Sequence, residues 1–156
     1  MNKSSTEPRS DGMETARLAA EKLYEGDKAS HALGIRILET TPGRARVAMR
    51  VRADMVNGHR VCHGGLVFTL ADTAFAFACN SYGPNTLAAA GAIDFLAPAR
   101  EADELIATAS ELWRSGRSGL YQVEVTNQNG ERIALFRGRS QQVAGNLLDQ
   151  ASGAPK

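Results

Sequence analysis

The chain has 156 residues, enough for one domain with its own core and no need of disulfide or metal staples. Eighteen Lys and Arg against 17 Asp and Glu leave a net charge of +1, which excludes the basic field of a nucleic-acid or anionic-membrane binder. Two cysteines, Cys62 and Cys79, are too few for a disulfide scaffold and fit a reducing, cytoplasmic setting.

Residues 1–12 are polar, carry no apolar leader segment and read as a disordered tail. Met13–Tyr24 reads as a helix, with Ala16, Leu18, Ala19, Ala20 and Leu23 set among charged residues. Ser30–Leu33 adds a helical turn before Gly34. The period then changes to two. Ile35 and Ile37 alternate with charge, Thr41-Pro42-Gly43 turns the chain, and Val47, Met49 and Val51 alternate with Arg46, Ala48, Arg50 and Arg52. Residues 53–62 read as a loop, with Asn57-Gly58 as a turn signal.

His63–Tyr82 is a long apolar segment whose side chains cover every face of a helical wheel, so it reads as a helix buried all round. Between Arg60 and Asp94 the only charged side chain is Asp72. The run is no membrane span, because Gly64-Gly65, Asp72, Asn80-Ser81 and Gly83-Pro84-Asn85 interrupt it. After it come strands over 86–96, 105–114, 120–126 and 132–142, and a frayed end over 143–156. With the strand over 86–96 left out of the sheet, the expected order is a helix, two strands, one long buried helix and three strands in meander. This is an α+β domain over 13–142 in which a five-stranded antiparallel sheet wraps the helix. Its free edges point to oligomerisation.

Asp72 is the first site candidate. Its flanks offer no polar stripe, Asp is a poor mid-helix residue, and a buried charge is costly without a partner. That combination points to a carboxylate acting as general base or nucleophile. Gly64 and Gly65 open the helix, where backbone N–H groups lack intrahelical partners and can hold a developing oxyanion. The alternative is a loop glycine pair capped by His63. Asn57 either makes the turn with Gly58 or orients water or substrate.

His59, Cys62 and His63 raise a zinc reading, but Arg60 stands where a zinc protease has Glu, and no metal site is expected. Cys62 with His59 or His63 is an alternative nucleophile pair. Arg100, Arg114, Arg117, Arg132, Arg137 and Arg139 make the later strands basic. By default they form a solvated face, and a phosphate-bearing ligand would use some of them.

The stretch Asn57-Gly58-His59-Arg60-Val61-Cys62-His63-Gly64-Gly65-Leu66-Val67-Phe68-Thr69-Leu70-Ala71-Asp72, continued through Ser81, resembles the signature of hot-dog-fold acyl-CoA thioesterases, in particular the PaaI type of phenylacetic acid degradation. Ile93–Pro98 and Gly130–Phe136 fit the family's later strands. Ala102-Asp103 stands where many relatives have Gly-Asp, a strand entry remote from the chemistry.

The resemblance implies a hot-dog fold, hydrolysis of aromatic acyl-CoA esters, and a homotetramer built from dimers. It also implies no metal or redox cofactor, coenzyme A being part of the substrate. On the matching positions Asp72 is the catalytic carboxylate and Gly64 the backbone donor, with His63 and Asn57 beside them. Gly65, Phe68 and Thr69 are expected to touch substrate, Phe75 and Tyr82 are further candidates to line its pocket, and Arg114 and Arg117 are expected to hold the nucleotide end. The rivals are a hot-dog hydratase, which needs a His after Asp72 that this chain lacks, and a non-catalytic acyl-CoA sensor. Gly64 and Asp72 lie about 12 Å apart along one helix, too far to act on one carbonyl, so Asp72 is expected to serve a neighbouring chain's substrate.

Overall fold

The structure, a computed structural model, describes residues 10–149. Two helices, α1 (Ser10–Gly26) and α2 (Lys28–Ala32), precede a hairpin of β1 (Arg36–Thr41) and β2 (Arg44–Arg50). A 3-10 turn at Ala53–Met55 leads to α3 (Gly64–Cys79). Then come β3 (Pro84–Phe95), β4 (Glu104–Ser115), β5 (Ser118–Thr126) and β6 (Arg132–Asn146). All strand pairs are antiparallel, in the order β1-β2-β4-β5-β6-β3. The sheet therefore has six strands where five are expected. The additional one is β3, which leaves α3 and pairs along β6 at the far edge, from Pro84↔Asn146 to Phe95↔Ala134.

Two predicted ends move. Helix α1 starts at Ser10, with Asp11 in its first turn where the helix dipole favours a negative charge. The rest of the expected N-terminal tail, residues 1–9, lies outside the described residues. Strand β6 continues to Asn146, past the predicted end at Gln142, because the long β3 still offers it a partner at Pro84. The expected C-terminal tail lies outside the described residues from 150 onward.

The inner face of the sheet forms as its alternation dictates. In β2, Val47 and Met49 are buried and Arg44 and Arg50 exposed. Strand β4 adds Leu105, Ala107 and Ala109, and β5 adds Tyr121, Val123 and Val125. Helix α3 lies across this face and drives Phe75 between Tyr121 and Phe136, with ring centroids 5.4 and 5.8 Å away. Gly138 makes that fit possible, since a Cβ there would stand 2.9 Å from both phenylalanine rings.

The expectation that α3 is buried all round is corrected. Leu70, Ala71, Thr73, Ala74, Phe77 and Ala78 are buried, but Gly65, Phe68, Thr69, Asp72 and Ala76 are not. These fall at helical spacing and form one stripe along the helix, exposed at Gly65 and half-buried at the rest, with Phe68 against Phe136 of β6. Asp72 sits in that stripe.

Candidate active site

The site grows from the start of α3. His63 is its N-cap, with φ −56° and ψ 129°. Its own N–H donates to the carbonyl of Met55 at 2.8 Å, and its carbonyl accepts from Leu66 at 2.9 Å and Val67 at 3.3 Å. Its ring Nδ1 accepts the N–H of Gly65 at 3.0 Å. The Gly65 donor is thus already engaged, which corrects its expected share in binding a carbonyl. Gly64 carries the one N–H of this first turn that has no acceptor among the described residues. Because Nδ1 accepts, the His63 ring proton sits on Nε2.

That N–H borders a cavity of about 350 Å³ lined by Asn57, Val61, Cys62, Gly64, Val67 and the segment 95–99, with Ile133 behind. The 95–99 wall is pinned by the backbone: Leu96 and Ala97 donate to Ile133 at 2.8 and 3.2 Å, and Cys62 donates to Ala99 at 2.7 Å. Asn57 belongs to both readings offered by its sequence. Its Oδ1 accepts from His59 and Val61, at 2.9 and 3.4 Å, and so builds the turn. The amide NH2 is left as its polar donor at the cavity.

Asp72 is half-buried, and no described residue donates it a hydrogen bond or an ion pair. Burial raises its carboxyl above the ordinary carboxylate pKa, and the Asp27 carboxylate, N-cap of α2, raises it further. It does not line the cavity of its own protomer.

Cys62 does line the cavity, but its thiol is held away from the thiolate form that a nucleophile needs. Burial, with a smaller contribution from Asp103, pushes its thiol up to about 11, and its Sγ is placed to donate to the His63 carbonyl at 3.7 Å. His59, Cys62 and His63 do not form a cluster of metal-ligating side chains, and none forms elsewhere among the described residues.

Several residues expected to touch substrate do not line this cavity. Phe68 packs edge-on against Phe136, with centroids 5.2 Å apart, and does not reach the cavity. The Thr69 hydroxyl donates to the Gly65 carbonyl at 2.9 Å, closing back on its own helix. Phe75 is core. Tyr82, Arg114 and Arg117 line a separate pocket at the other end of α3, a 16-residue helix and so about 24 Å from Gly64. There Arg114 lies 3.6 Å above the Tyr82 ring, and Glu111 accepts from the hydroxyls of Tyr82 at 3.0 Å and Tyr121 at 2.7 Å.

One site residue escapes the sequence reading. The Phe95 ring stands over Gly64, its Cζ 3.0 Å from where a Gly64 Cβ would be. The available signal was alternation: Ile93 and Phe95 share one face of β3. What brings that face to the start of α3 is the return of β3 along the helix, a tertiary fact.

Residues 59–134 match the model of the thioesterase superfamily. The acyl-coenzyme A thioesterase PaaI of Escherichia coli is 46% identical over 132 residues, covering 85% of this chain and 94% of that one. The solved structure of E. coli PaaI, from the phenylacetic acid degradation operon, superposes with a TM-score of 0.85 over 86% of this chain and 97% of the other. A mutant structure of the phenylacetic acid degradation protein PaaI from Thermus thermophilus is 38% identical, with a TM-score of 0.72 over 75% of this chain and all of the other.

Proposed function

This chain belongs to the thioesterase superfamily and is a PaaI-like acyl-CoA thioesterase, and we propose that it hydrolyses arylacetyl-CoA esters of the phenylacetyl type in a site shared by two subunits. The observation that carries the reading is the single unengaged N–H of Gly64 at the mouth of an apolar cavity, with an unpartnered carboxylate on the half-buried stripe of the same helix.

The thioester carbonyl accepts from Gly64 N–H, placed at the positive end of α3. Asp72 of a second subunit takes a proton from water as the water oxygen bonds to the carbonyl carbon. Negative charge collects on the carbonyl oxygen, and the C–S bond then breaks. The acid leaves, and the coenzyme A thiolate takes up the proton. A carboxylate whose pKa is raised toward neutrality is a better base than an ordinary one. The Asn57 amide and His63 Nε2–H orient water or carbonyl. Water, one carboxylate and backbone donors balance this reaction without a metal or redox cofactor.

The dimer follows from two features. Asp72 cannot reach a carbonyl held about 12 Å away at its own Gly64. Strand β3 is a long edge whose residues 87–92 are exposed, and the α3 stripe beside it is only half-buried. Antiparallel pairing of two β3 edges turns the helices end for end, so that each Gly64 meets the partner's Asp72. It also brings the pocket of Arg114 and Arg117 next to the other subunit's site, where they suit the phosphates of coenzyme A. Two such dimers then pair as a tetramer through exposed apolar surface such as Leu112 and Trp113. Two free, buried thiols fit a reducing cytoplasm.

Asp72→Asn tests the mechanism. Turnover of phenylacetyl-CoA should fall about 10²–10⁴-fold with the fold intact. Near-wild-type turnover contradicts the assignment. Single turnover in ¹⁸O-water should label the released acid and leave Asp72 unlabelled; label in Asp72 would mean direct attack by the carboxylate. Binding of acyl-CoA with no hydrolysis at all would favour the sensor.

A further inference from the structure

We infer that Phe95 determines acyl-group specificity, its ring being the surface on which an aromatic acyl group is recognised; this rests on the substrate reading above. Phe95 is the only aromatic side chain lining the cavity beside Gly64; the other lining side chains are mostly aliphatic, among them Val61, Val67, Leu96 and Ile133. The Phe95 ring is not buried in the core: the residue is 56% exposed, and its Cζ stands 3.0 Å from where a Gly64 Cβ would be.

Position makes the selection. A carbonyl oxygen on Gly64 N–H places the carbonyl carbon within the first turn of α3, so the next one or two acyl atoms run past the Phe95 ring. In an arylacetyl group the substituent ring begins one methylene from the carbonyl and therefore falls beside Phe95. Aromatic rings attract each other edge-to-face or offset, beyond what apolar area alone provides. A saturated ring of the same size has the area without that preference. The Phe95 side chain is anchored where β3 ends, beside backbone bonds from Leu96 and Ala97 to Ile133, so its Cα does not drift.

The experiment compares kcat/KM for phenylacetyl-CoA with that for cyclohexylacetyl-CoA in wild type, Phe95→Leu and Phe95→Tyr, with melting curves for all three. Wild type and Phe95→Tyr should prefer the aromatic ester by about threefold to tenfold, the size of an aromatic pair preference. Phe95→Leu should bring the ratio close to one, whatever happens to its absolute rate. A Phe95→Leu enzyme that keeps the wild-type ratio overturns the proposal alone. A wild type that hydrolyses straight-chain acyl-CoA but no arylacetyl ester overturns the substrate reading, and this proposal with it. Should Phe95→Leu fail to fold, a wild type and Phe95→Tyr with no aromatic preference would still contradict it.

Discussion

Gly64 opens α3 with an N–H that no described residue accepts, and that donor can be removed without removing the helix. Proline is favoured at a first helical position, and His63 at ψ 129° already has the conformation a residue before proline requires. Gly64→Pro should therefore keep the fold and lower kcat by about 10²–10³-fold, the usual worth of one oxyanion donor. The nearest atoms to its new Cβ belong to the ring of Phe95, 3.0 Å away at Cζ, and that residue is 56% exposed, so the ring can give way. Gly64→Ala keeps the N–H, so a loss of turnover as large as the proline variant's would trace the effect to Phe95 contact rather than to the donor.

Asp72 carries a stability signature besides its proposed catalytic role. Its pKa is raised in the folded state, so the native protein holds this proton more tightly than the unfolded chain. Below the ordinary carboxylate pKa both states are protonated and the site is neutral in its effect. Stability is then lost as pH rises through the raised native pKa. Asp72→Asn should unfold at a higher temperature than wild type at neutral pH, with the gap closing in acid; calorimetry across pH 4 to 8 reads both. At this scale the sequence was informative because the chemistry is scarce. One charge in a long apolar run and one Gly pair at its start stand out in any reading. Phe95 did not, because nothing local distinguishes it from a core aromatic.

Helix α3 and strand β3 set the site between them, and their ends show what can be read ahead of a structure. The cap at His63 was legible as an alternative, and the structure makes it the fact: Nδ1 takes the Gly65 donor and leaves Gly64 alone. His63→Ala should cost about 0.5–2 kcal/mol, the range for losing an N-cap side chain, read as a lower midpoint in urea with an unchanged slope. A change in slope would mean that the cap shapes more than one turn. The alternation of β2 and β5 was legible because each has one wet face. Strand β3 was legible as a strand but dropped out of the count of the sheet. Its residues 87–92 are exposed on the edge, so they show no period-two burial, and its partner β6 is the last strand of the chain. The burial of α3 was overestimated for a related reason. An apolar wheel cannot distinguish a face covered by the same chain from one left for another.

At the scale of the whole molecule, the proposed mechanism needs two protomers. The proposed donor and base lie about 12 Å apart along one helix, and the long edge strand and the half-buried helix stripe lie side by side. In the proposed dimer, Gly64 of one subunit and Asp72 of its partner form each site. Two inactive variants test it directly. Gly64→Pro and Asp72→Asn protein are unfolded together, refolded as a mixture, and assayed on phenylacetyl-CoA. If sites are shared, each mixed dimer holds one intact Gly64–Asp72 pair and one doubly defective pair. With random pairing in a two-fold dimer, activity should return to about a quarter of wild type. Activity that stays at the level of the two variants alone would place donor and base in the same subunit and contradict the claim.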